Sequence, residues 1–163
     1  RFFISESKAN DLFDLIHCDI WGPYRVKASC GASYFLTIVD DASRATWVYL
    51  MKEKSEVGVL LKGFVAMATN QFGKGVKVIR SDNGLEFKSG SMERFYLDNG
   101  TIHQTSCVNT PQQNGRVECK HGLILNVARA LRFQAGLPLS LWGECVLTAT
   151  HLINKTPNGV LQG

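Results

Sequence analysis

Three carboxylates stand out by type and placement. Asp82 closes the apolar run Val76, Val78, Ile79, and Asn83-Gly84 follows at once, so the acid sits at a strand end with a turn behind it. Asp19 closes an earlier strand-like run, IHCD, and Glu118 stands in the first turn of a later helix. Gathered in one place, three carboxylates form an all-oxygen site for a hard divalent cation. Without a cation they repel, and one takes up a proton. Two Mg²⁺ ions roughly 3.5–4 Å apart, held this way, would clamp the attacking and leaving oxygens of a phosphodiester. That is phosphoryl transfer with no covalent enzyme intermediate.

Each acid also has a plainer reading. An aspartate at a strand end most often bonds its own turn. Asp40-Asp41, closing the run IVDD, keeps that reading, with Ser43 and Arg44 at hand to satisfy it. A glutamate opening a helix is favoured by the helix dipole. Asp19 and Asp82 differ because neither leads into a short hairpin.

The elements that must position these acids follow from periodicity. Leu12–Asp19 alternates as a strand ending at Asp19, and Trp21-Gly22-Pro23 breaks it. Tyr34–Asp40 and Ala45–Met51 are β-branched and aromatic, and read as an antiparallel hairpin. A helix starts near Ser55, with Val57, Leu61, Phe64, Ala68 and Phe72 at helical spacing, and stops at Gly73. Val76–Ser81 reads as a strand, Ser91–Asp98 as a helix ended by Gly100, and Ile102–Thr105 as a short strand. A polar loop, Cys107–Gly115, leads into a helix from about Arg116 to Gly136. Pro138 opens the last helix. This order predicts an α/β fold, a mixed five-stranded sheet flanked by helices on both faces, with strands one and four side by side. Reactive groups gather near strand ends in such sheets. The expected organisation is a linker over 1–11, one domain over 12–157 and a tail over 158–163.

The 163 residues suffice to bury the core of one domain. No stretch is apolar and long enough to span a membrane, and RFFISESKAND shows no signal-peptide pattern. Net charge is +4. Residues 1–50 hold five Lys/Arg against six Asp/Glu, and residues 51–163 hold thirteen against eight, so basic character gathers around Asp82 and Glu118. Five cysteines, odd in number and without CxxC, read as reduced intracellular thiols and exclude a disulfide framework. His17-Cys18 and His103…Cys107 match no common zinc spacing.

The stretches HCDIWGP, TIVDDASRATWVYLMKEKSEV, VIRSDNGLEF and HQTSCVNTPQQNGRVE together resemble the integrase catalytic core of copia-type LTR retrotransposons. The resemblance covers about Asp11 to Pro157. Asp82 and Glu118 have 35 residues between them, the spacing of that family's Asp, Asp-35-Glu signature. The resemblance implies an RNase H-like fold, with Asp19, Asp82 and Glu118 as the catalytic triad holding two Mg²⁺ or Mn²⁺ ions. It implies trimming of DNA 3′ ends followed by strand transfer into target DNA. DNA contacts are expected at Asn83, Gln112, Gln113, Asn114, Arg116 and Lys120, and the partners are element ends, target DNA and further copies of the chain, with no membrane. Nuclear action is implied as well.

Departures from the family pattern fall after Glu118, where Cys119, Lys120, His121 and Gly122 replace a more basic run, and at Ala42, where an aromatic residue is expected. Similar proteins carry an N-terminal His₂Cys₂ zinc module and a C-terminal DNA-binding region within a longer polyprotein. A core alone is expected to bind DNA weakly and to favour the reverse, disintegration-type reaction. Two other readings stand beside this one. The first is an inactive or domesticated nucleic-acid-binding or oligomerisation module. The second is an RNase H-type nuclease, which needs a fourth carboxylate; Glu86 is the nearest in sequence but reads as a surface residue.

Overall fold

The computed structural model describes residues 9–105 and 115–156. Five strands, β1 Leu15–Trp21, β2 Tyr34–Asp40, β3 Thr46–Met51, β4 Val78–Ser81 and β5 Ile102–Thr105, form one mixed sheet in the order β3-β2-β1-β4-β5. β2 runs antiparallel to both β1 and β3, whereas β4 runs parallel to both β1 and β5. Strands one and four are therefore neighbours, as the sequence predicts.

Helices α1 Val57–Phe72 and α2 Gly90–Asn99 supply one face, and α3 Gly115–Gln134 and α4 Trp142–Lys155 the other. Alternation along β1 decides which side chains meet which layer. Ile16 and Cys18 enter the core beneath α1, with Leu36, Ile38, Leu61 and Phe64. His17, Asp19 and Trp21 therefore project towards α3 and α4. Phe35, Ile124, Trp142, Val146 and Ala149 form the core on that side. Cys18 is fully buried and burial pushes its thiol up, so it packs as an inert apolar group.

Strand β1 departs from its expected bounds at both ends. It starts at Leu15 because Phe13 adopts φ 65, a left-handed conformation that an aromatic residue rarely takes. The Phe13 ring is fully buried against Trp47 and Phe64, and its N–H donates to Asp40 Oδ1 at 2.9 Å. The strand also continues past Asp19, since Ile20 and Trp21 still pair with Leu36 and Phe35. Only Leu15–His17 pair with β4. Asp19 thus lies where β1 keeps one neighbour and has lost the other, at the sheet's topological switch.

The helices begin and stop on local signals. Glu56 accepts from the Lys52 and Glu53 N–H groups at 2.6 and 2.8 Å, fixing the 3-10 turn that leads into α1. Ser89 caps α2, and left-handed glycines, Gly73 and Gly100, end α1 and α2. On α4, the Asn154 amide bonds both backbone groups of Thr46, at 2.9 and 2.6 Å, covering the outer edge of β3.

Candidate active site

Asp19 comes from the part of β1 that pairs with β2 but no longer with β4, Asp82 directly follows β4, and Glu118 lies in the first turn of α3. Burial pushes the Asp19 carboxyl up to about 6, and the charges of Asp82 and Glu118 push the same way. The structure thus brings the influence of all three acids to one point, and among the described residues no cationic side chain offsets it at Asp19. The Ile20 N–H, 2.9 Å from Asp19 Oδ1, favours the anion. As a donor set, three carboxylates suit a hard divalent cation such as Mg²⁺. They do not form a closed cage: among the described residues no three His, Cys, Asp or Glu side chains are drawn together tightly enough to hold an ion. Asp82 Oδ1 instead accepts from the Gly84 N–H at 2.8 Å, the turn bond of the plainer reading.

Gly84 leaves room for two carboxylate side chains to come close. A Cβ on it would lie 2.5 Å from Glu86 Oε2 and 2.9 Å from Asp82 Oδ1. Glu86 therefore leans towards Asp82 across the glycine, and its other oxygen lies 4.0 Å from Lys54 Nζ. A residue expected only at the surface is a neighbour of the candidate site. Asn83 accepts from Lys88 Nζ at 2.8 Å.

His121 is a site residue that sequence reasoning did not assign. It lies three residues beyond Glu118, and that spacing was the available signal. Its ring packs edge-on against Phe35, and Nδ1 stands 3.9 Å from Asp19 Oδ2. Burial drives its pKa down to about 4, so it is neutral there, and its Nε2 has no hydrogen-bond partner among the described residues.

The Asp40-Asp41 pair is more than a turn. Asp40 is fully buried and accepts from Phe13 N–H, Ser43 N–H and Ser43 Oγ. Asp41 is equally sunk, and accepts from the Ala9 N–H at 2.8 Å, from His17 Nε2 at 2.9 Å and from Arg116. Arg44 is the weaker partner, at 3.8 Å. Burial would raise the Asp41 carboxyl, but the Ala9 and His17 hydrogen bonds and the Arg116 charge outweigh it and hold it low. Burial lowers His17 in turn, so it is neutral and Nε2 carries the hydrogen it donates. Asp41 therefore ties the first turn of α3, which bears Glu118, to β1, which bears Asp19.

The remaining expected DNA contacts are spread out. Arg116 and Lys120 lie two residues either side of Glu118, about 200° round the helix and so on its far side. With Arg44 they line a basic cleft of about 450 Å³, where burial and the Arg44 charge lower Lys120. Gln112, Gln113 and Asn114 lie outside the described residues, as does Cys107. His103 bonds Ser81 Oγ at 2.8 Å and stacks on Tyr96, an edge-strand packing role.

Residues 10–111 match the integrase core domain family (rve), and the chain belongs to that family. It is 39% identical over 154 residues to the retrovirus-related Pol polyprotein from transposon TNT 1-94 of Nicotiana tabacum. It is 31% and 33% identical to the corresponding polyproteins from transposons RE1 and RE2 of Arabidopsis thaliana. These alignments take in 94%, 91% and 91% of the chain but 12%, 10% and 10% of the relatives, so the chain spans about a tenth of their length.

Among solved structures, the simian T-cell lymphotropic virus intasome in complex with PP2A regulatory subunit B56 gamma superposes with TM-score 0.71 at 18% identity. That match covers 92% of this chain and 51% of that one. The HTLV-2 integrase catalytic core domain in complex with magnesium, a trimeric form, superposes with TM-score 0.62 at 20% identity over 88% of this chain and 86% of that one. The fold is the RNase H-like fold of retroviral integrase cores.

Proposed function

We propose that the chain is the catalytic core of a copia-type retrotransposon integrase, a metal-dependent polynucleotidyl transferase acting on DNA ends and target DNA in the nucleus. The observation that carries this reading is the raised Asp19 carboxyl, lifted by burial and by the charges of Asp82 and Glu118 within an integrase-family fold. Asp19, Asp82 and Glu118 are the residues that would hold Mg²⁺ or Mn²⁺, as two ions in the full reading. Such ions polarise a phosphodiester and lower the pKa of a bound nucleophile. The chain's own contribution is orientation. Asp41 fixes the start of α3 against β1 through Arg116 and His17. His121 fills the space beneath Asp19 as a neutral ring, which leaves that carboxylate free of a permanent counter-charge.

The expected steps are trimming of element 3′ ends, with water as nucleophile, then attack of the 3′-hydroxyl on target DNA. The intasome and the magnesium-bound trimer among the structural neighbours support DNA, a divalent metal and self-association as the chain's partners. A second reading, a nucleic-acid-binding module without catalysis, draws support from Asp82, which bonds its own turn, and from the open carboxylate set.

A branched DNA substrate with Mn²⁺, wild type beside Asp82→Asn, tests the choice. Metal-dependent joining that vanishes in the variant supports the integrase. DNA binding without joining, in a full-length protein that carries the same core, supports the module.

A further inference from the structure

A second feature continues the active-site surface without belonging to the carboxylates. Between β1, α3 and α4 lies a cavity of about 210 Å³. Both of its walls are extensions of walls of the active site. On β1, Trp21 stands two residues after Asp19 and therefore on the same face of the strand. On α3, Glu118, Gly122, Leu125, Arg129 and Arg132 recur at helical spacing along one stripe. Gly122 leaves that stripe open, because nothing lies within 4 Å of where its Cβ would be. Leu125, where the cavity begins, is about 10 Å along the helix from Glu118.

The chemistry of the lining is selective. Trp21, Tyr24 and Trp142 form an aromatic cluster with ring centroids 5.5–6.0 Å apart. Its buried ring is held in place, since Trp142 Nε1 donates to the Val26 carbonyl at 2.7 Å. At the rim, the Arg132 guanidinium lies 4.5 Å over the exposed Phe133 ring. Arg129, also exposed and lining the cavity, is in no ion pair with a carboxylate among the described residues. Aromatic rings set at 34–67° to one another, beside a cation at the rim, suit a planar ring that carries an anion. A purely apolar side chain would make no use of the Arg129 guanidinium at the rim, whereas Arg132 already donates to the Leu137 carbonyl at 3.3 Å. The volume is too small for a duplex end.

We propose that this slot takes an unpaired nucleobase of the DNA strand engaged at the carboxylates, stacked on the aromatic wall, with its phosphate against Arg129. The proposal rests on the integrase reading for its ligand and adds a site for the strand's unpaired part. Stacking on aromatic side chains holds single strands without regard to sequence. The slot would thus favour frayed or overhanging DNA over blunt duplex.

The test measures binding in chelator, without metal, so that it is independent of joining activity. The probes are a fluorescent oligo-dT of about ten nucleotides and a blunt duplex of equal length. Arg129→Gln and Phe133→Ala alter exposed side chains outside the catalytic set, and equal melting temperatures confirm their folding. Each is expected to weaken oligo-dT binding about tenfold while leaving duplex binding unchanged. Arg129→Gln alone should also flatten the salt dependence, by a slope of about 0.7. Equal losses on both probes, no loss on either, or a shift in sedimentation showing that a second copy covers the slot would each overturn the proposal. If the slot fails this test while Asp82→Asn still abolishes joining, the integrase reading stands without it.

Discussion

A carboxylate that is largely withdrawn from solvent beside two others is poorly placed to be an anion, and Asp19, half-buried, is in that position. Its folded pKa, about 6, lies above the ordinary value of 3.8 because of burial, then Asp82, then Glu118. The native state therefore holds a proton that the unfolded chain has released between those two values. Stability contributed by this group is full below the ordinary value, falls as pH rises through about 6, and stays lower above it. Asp19→Asn removes the repulsion. In chelator at about pH 7.5 the variant should resist urea better than wild type by about 1–2 kcal/mol, a figure reduced for solvent screening. The gap should close as pH falls towards about 4. With Mg²⁺ added the order should reverse, because a ligand that binds the native state stabilises it. A variant no more stable than wild type in chelator would show that the three acids do not repel one another at this point.

At the scale of elements, α3 is the part whose placement matters most, and it carries both an anchor and a weakness. The anchor is the exposed Arg116 on the buried Asp41, a pairing whose loss would leave the Asp41 charge with less to offset it. The weakness is Gly122, within the helix and facing open space. Gly122→Ala should raise stability by about 1 kcal/mol, read as a shift in urea midpoint at constant slope. Gly122→Lys places a cation on the Glu118 stripe and should tighten duplex DNA, steepening the salt dependence by a slope of about 0.9. A Gly122→Ala protein less stable than wild type would mean that the helix bends there.

Strand types and order were legible from the sequence because alternation and helical spacing are local signals; β2 and β5 fall at their expected bounds. The start of β1 was not, since Phe13's left-handed turn is imposed by Asp40 across 27 positions of chain. The Asp41 network escaped for the same reason: its partners lie 24 and 75 residues away. Of the site, the three acids were legible by type and spacing. The lean of Glu86 over Gly84 and the seat of His121 depend on tertiary contact.

At the scale of the whole molecule, the three acids stand on three elements that share no hydrogen-bonded ladder at the site itself. β1 has left β4 before Asp19, Asp82 follows the last residue of β4, and Glu118 belongs to a helix on one face. The two cores, one under α1 and α2 and one under α3 and α4, hold each element elsewhere along its length. A cation held between the carboxylates would add a link at the site itself to the two that the polypeptide makes beside it, the β1–β4 ladder before Asp19 and the Asp41 tie from β1 to α3. Hydrogen exchange can read this directly. In chelator, the central pairings of β1 with β2 should be well protected, and the amides at Asp19–Trp21, Asp82–Gly84 and the first turn of α3 much less so. Adding Mg²⁺ should slow exchange at all three segments together, by a common factor set by metal concentration over affinity. The β3 edge and α4 should be unmoved. Slowing confined to one segment would mean that the ion rests on a single carboxylate, and slowing spread evenly over the chain would mean global stabilisation without a bridge.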